Sequence, residues 1–145
     1  MTPPTPALPM LAADLRTVLG HMKRRLREQA NMGDLTLSQL AVLGHLDRTG
    51  PATVTMLARA EGVRPQSMGA TVAVLLEAGL VAGTPDPADG RQTILDVTAH
   101  CRDLIEASRV TRDDWLVSRI RSELSPEEQQ QLTDAVDLLK RIVDV

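Results

Sequence analysis

Apolar residues recur in steps of three and four along Leu11, Leu15, Val18, Leu19, Met22 and Leu26, which predicts an amphipathic helix from Met10 to about Gln29. Lys23, Arg24, Arg25 and Arg27 fill its other side, and Asn31 to Asp34 end it. Thr36-Leu-Ser-Gln39 has the form of a capping box, with Thr at the cap and Gln at the third helical position. It opens a helix through Leu37, Leu40, Val42, Leu43 and Leu46 that stops at Thr49-Gly50-Pro51. Thr55 is the expected cap of a short helix through Leu57 and Ala58, closed by Gly62. Pro65 suits the first position of the next helix, where its missing N–H costs nothing. That helix turns Met68, Val72, Leu75 and Leu76 inward and ends at Gly79. Two short helices across a glycine-containing turn have the spacing of a helix-turn-helix.

Beyond Gly79 the period shortens. Leu80-Val-Ala82 and Thr93 to Val97 read as two strands joined by the turn-rich segment Gly83 to Gln92, which gives a β-hairpin with a long polar tip. Thr98 then caps a long helix from about Ala99 to Glu123, with Leu104, Ile105, Leu116 and Ile120 as its clearer apolar positions. Ser125-Pro-Glu-Glu128 is the strongest cap in the chain and starts a last helix through Leu132, Val136, Leu139 and Ile142.

This order predicts a mainly α protein with a small β-hairpin: a winged helix-turn-helix flanked by terminal dimerisation helices. Residues 1–9, with four prolines, are expected to be a disordered arm. Residues 36–98 form the expected DNA-binding domain, and 10–35 with 99–145 the helical dimerisation region. The terminal helices carry more apolar surface than so small a middle can cover, so a second copy of the chain is the expected partner. A symmetric dimer sets two recognition helices about one turn of DNA apart.

Composition narrows the chemistry. Trp115 is the one aromatic residue of 145, so modules that stack bases on several rings are excluded. One cysteine, Cys101, allows no intrachain disulfide and suits a reducing cytoplasm, the expected location. No apolar run approaches a membrane span, and the N-terminus lacks the charge of a signal peptide. His100 beside Cys101 is no metal pair, because helix neighbours point about 100° apart. No metal or cofactor is expected. Neither a phosphate-cradling loop nor a nucleophile elbow is present, so no enzyme activity is expected.

Four stretches, Leu57 to Val63, Glu77 to Val81, Asp86-Pro-Ala-Asp-Gly-Arg91 and Leu95 to Thr98, resemble in order and spacing the MarR-type transcriptional regulators, over about residues 8–143. The resemblance implies a dimeric regulator of double-stranded DNA, usually a repressor and often released by a small molecule. It places the second stretch at the close of the recognition helix, the third at the wing tip and the fourth before the dimer helix. The family often carries arginine where this chain has Ala70, Val74 and Ala88.

At the wing tip the resemblance sends Arg91 into the minor groove, whose negative potential suits arginine. Asp89 is expected to hold that guanidinium in a bidentate pair, with Gln92 beside it. Arg64, Pro65, Gln66, Ser67, Met68 and Thr71 are the candidate contacts of the recognition helix, and Ser38 adds a candidate backbone contact. His21 and Arg25 are candidates for an anionic or aromatic small-molecule effector. An alternative is a winged-helix protein-interaction module with little or no DNA binding. The charge favours it: residues 36–97 carry four basic residues (Arg48, Arg59, Arg64, Arg91) against six acidic ones, within a chain of net charge −3.

Overall fold

The computed structural model describes residues 4–5, 7–30 and 32–143. The elements run α1 (Leu8–Gln29), α2 (Leu37–Thr49), β1 (Ala52–Thr53), α3 (Val54–Glu61), α4 (Pro65–Glu77), β2 (Val81–Pro85), β3 (Thr93–Val97), α5 (Ala99–Glu123) and α6 (Pro126–Val143). They divide into two units, residues 31–108 and residues 1–30 with 109–145. The division falls inside α5, about ten residues beyond the expected boundary at 98, so the first turns of α5 belong with the helix-turn-helix. Helix α1 starts at Leu8, inside the expected arm, with Pro9 in its first turn. Residues 1–3 and 6 of that arm, and Asn31, lie outside the described residues.

The unit of residues 31–108 is built around one apolar core. Leu43 and Leu46 of α2, Leu57 of α3, Leu75 of α4 and Leu95 of β3 are all at most 1% exposed. Each such leucine contributes roughly 1.5–3 kcal/mol by leaving water. Val81 and Val97 close the core from the sheet and Cys101 from the first turn of α5. The sheet has three antiparallel strands in the order β1-β3-β2, where two were expected. Strand β1 is two residues long, pairing Ala52 with Leu95 and Thr53 with Ile94. So short a strand carries no alternation, and its membership comes from the partner strand. Val81 lies opposite Val97 and Pro85 opposite Thr93, which sets the wing's register.

Local capping follows the sequence with one shift. Thr36 Oγ1 accepts from the Gln39 N–H at 3.2 Å while Gln39 Oε1 accepts from the Thr36 N–H at 3.0 Å. Ser125 and Glu128 make the same reciprocal pair at 2.9 and 3.2 Å. Helix α3, however, is capped by Thr53, whose Oγ1 accepts from the Met56 N–H at 3.2 Å, and not by Thr55. The extra residues come from the β1 pairing, which brings Thr53 to the helix start already extended. Thr98 caps α5 as expected, accepting from the Cys101 N–H at 3.1 Å.

In the other unit no described residue of α1 or α6 is fully buried. Leu11 is 50% exposed and Ile142 70%.

Candidate nucleic-acid interface

The turn between α3 and α4 decides where α4 points. Gly62 takes the left-handed conformation, φ 67° and ψ 31°, which a side chain disfavours. Its N–H donates to Arg59 O at 3.3 Å and the Val63 N–H donates to Ala58 O at 3.0 Å, so the helix closes and reverses within two residues. Arg64 then stands extended at the N-cap, with Pro65 in the first turn of α4. No side chain caps this helix. Its first turn, carrying the positive end of the helix dipole, faces out as a ready anion contact.

Arg64, Pro65, Gln66 and Ser67 are exposed, and Thr71 is half-buried with its Oγ1 donating to Ser67 O at 3.2 Å. Met68 is a correction to the contact set. It is 3% exposed and belongs to the core, because it lies on the side of α4 that holds Val72 and Leu75. Leu76, expected inward, is 43% exposed. Ser38 is exposed in the first turn of α2 and shares an open recess of about 280 Å³ with Ser67 and Thr71 of α4. Leu37, Ala41, Met68, Val63 and Glu61 complete that recess. Glu61 has no signal in the sequence, since only the turn geometry brings it beside α2.

The wing tip is internally tied. Asp86 Oδ1 accepts from the Ala88 N–H at 2.9 Å and Asp89 Oδ1 from the Arg91 N–H at 3.1 Å. The Gln92 N–H donates to Asp89 O at 3.0 Å, and the Asp86 N–H donates to Gln92 O at 2.9 Å. Arg91 Nε also donates to Asp89 Oδ1 at 3.2 Å. The pair is therefore a single contact and not the bidentate one expected, with Asp89 Oδ1 accepting from both the Arg91 N–H and its Nε. The Arg91 side chain is 93% exposed, so the pair aims the guanidinium without sequestering it. Gln92 is exposed beside it.

His21 and Arg25 are exposed on α1, one turn apart, in the other unit. Arg25 Nη1 lies 3.5 Å from a Glu28 carboxylate oxygen. Cys101 is fully buried, and burial, reinforced by the Asp47 charge and offset by Arg102, pushes its thiol pKa up. That is the opposite of an activated thiolate. Among the described residues no three His, Cys, Asp or Glu side chains gather into a metal-holding group. No described helix is long and apolar enough to cross a membrane.

Comparison with known proteins adds four likenesses. A model of the MarR family matches residues 33–92, from just before α2 through the helix-turn-helix to the wing tip. A helix-turn-helix-type transcriptional regulator of Mycobacterium tuberculosis is 37% identical over 134 residues, covering 92% of this chain and 93% of that protein. The crystal structure of a transcriptional regulator from Pseudomonas aeruginosa superposes with a TM-score of 0.83 at 33% identity, over 98% of this chain and 99% of that one. A variant of MepR from Staphylococcus aureus, solved bound to an oligodeoxyribonucleotide, shares the fold with a TM-score of 0.70 at 21% identity, over 92% of this chain and 97% of that one.

Proposed function

The chain belongs to the MarR family of transcriptional regulators, and from that premise we propose that it binds a pseudo-palindromic duplex site as a homodimer. One observation carries this reading. The exposed, uncapped start of α4 and the tied wing tip with a 93% exposed Arg91 belong to the same compact unit. Helix α4 enters the major groove, its first turn meets phosphate, and Arg91 reaches the flanking minor groove. The oligonucleotide-bound MepR variant supports such an engagement for this fold. The exposed apolar stripes of α1 and α6 support pairing with a second copy.

The regulatory mode we favour is repression in the cytoplasm, relieved by an anionic or aromatic small molecule. His21 and Arg25 are the residues assigned to that ligand. A carboxylate effector competes with Glu28 for the Arg25 guanidinium, an exchange that costs little because the existing pair is solvent-exposed. Release then follows from a change in the separation of the two recognition helices, which no longer fit successive major grooves.

Polarisation titrations on mixed genomic fragments across a salt series test the reading. The expected result is binding at low salt that falls steeply as salt rises, since affinity is tied to phosphate neutralisation. Arg91→Ala weakens binding to all sequences by about tenfold and flattens the salt slope by about one. Unchanged affinity and slope in that variant overturn the wing assignment. An absence of binding at micromolar dimer overturns the regulator reading in favour of a protein-interaction module.

A further inference from the structure

The outward side of α4 is chemically unusual for a helix that reads DNA. At 100° per residue, Gln66, Ala70, Ala73, Val74 and Glu77 fall within an arc of about 100°, opposite buried Met68, Val72 and Leu75. All five are exposed, Val74 by 47%. No lysine or arginine occurs between Pro65 and Glu77. The bidentate donor that recognises guanine O6 and N7 is therefore missing from the whole length of the helix. The middle of the face is also low. Ala70 and Ala73 there end at a methyl group. Such a surface lets the helix axis approach the groove floor closely, and what it presents there is apolar.

The major groove offers one apolar partner, the C5-methyl group of thymine. We infer that Ala70, Ala73 and Val74 read thymine methyl groups, so that the centre of each half-site is specified as A·T by van der Waals contact. Gln66, at the N-terminal end of the same face, supplies the polar part by pairing with adenine N6 and N7. The Glu77 carboxylate at the far end repels phosphate and sets the limit of close contact just beyond Val74. The inference rests on the DNA-binding reading above and names which duplexes that reading selects.

The test starts from a random duplex library selected on the full-length protein at low salt. The strongest retained duplex is then resynthesised with deoxyuridine replacing thymidine at one position at a time, which deletes the methyl group and keeps the base pair. The expected result is A·T specified at the centre of each half-site and an affinity loss of about fourfold for each contacted methyl, the worth of one buried methylene-sized group. Deoxyuridine in the flanks changes nothing. Val74→Ala, an exposed change to a good helix former, removes the thymine preference at its own contact and leaves affinity for the deoxyuridine duplex within about twofold. Retained duplexes that specify G·C at the half-site centre overturn the inference while the DNA-binding reading stands. Equal binding of thymidine and deoxyuridine duplexes at every position does the same. Retention of no duplex at all overturns the DNA-binding reading itself.

Discussion

The two units of the chain use similar amounts of apolar sequence to opposite ends. Residues 31–108 gather theirs inward, and Val42, Leu57, Leu75 and Cys101 are each 0% exposed. Residues 1–30 and 109–145 hold an equally regular apolar pattern on α1 and α6, yet no described residue of those helices is buried. The first unit closes a core because the three helices α2, α3 and α4, a three-stranded sheet and the start of α5 approach from several sides. The second consists of helices alone, with stripes left open to whatever covers them. An amphipathic pattern thus predicts which side of a helix is apolar, and not whether its own chain supplies the cover.

The sharpest way to break this contrast is to hollow the first unit. Leu75→Ala leaves a cavity among residues that cannot collapse onto it and should cost about 2–5 kcal/mol in denaturant unfolding. A cost below about 1 kcal/mol would deny that this core is closed. The matching change in the other unit is Leu11→Glu with Val18→Glu, on side chains 50% and 56% exposed. It should leave the secondary structure of the chain intact while weakening self-association at least about a hundredfold, roughly 2.7 kcal/mol. Light scattering reads this as a fall from twice the 15.7 kDa chain mass to a single mass. An unchanged mass places the open stripes outside the dimer contact.

The smallest effect comes from Cys101. Its folded-state pKa is raised, chiefly by burial, so the neutral thiol belongs to the folded state. The stability it contributes is fully present below the ordinary thiol pKa and is lost as pH rises through the raised value. Wild-type stability should therefore decline on the alkaline side of about pH 8.5 more steeply than that of Cys101→Ala. Parallel alkaline limbs would show that the thiol is not held neutral.

Most of the fold was legible because its signals are local. The Thr36–Gln39 and Ser125–Glu128 caps each depend on residues three apart, and both form as the sequence predicts. Most departures are non-local; the start of α1 at Leu8 and the Asp89–Arg91 geometry are the local ones. Strand β1 exists through pairing with Leu95 and Ile94, more than forty residues away in sequence. That pairing moves the α3 cap from Thr55 to Thr53. Met68 lies in the core on the side its spacing gave it, which removes it from the contact set, while Leu76, expected on the same side, escapes the core. The recess that places Ser38 beside Ser67 and Thr71 needs two helix starts to converge, which no short motif encodes. The turn residues around Arg91 mark its place at the wing tip, but not that one Asp89 oxygen accepts both its N–H and its Nε.

The wing tip bears on kinetics as well as on affinity. Five hydrogen bonds tie Asp86, Ala88, Asp89, Arg91 and Gln92 together in the free protein. The loop therefore has little conformational freedom left to lose on encounter. Its arginine meets the duplex already aimed, so productive collisions are frequent, and the lifetime of the complex is left to the slower fit of α4 in the major groove.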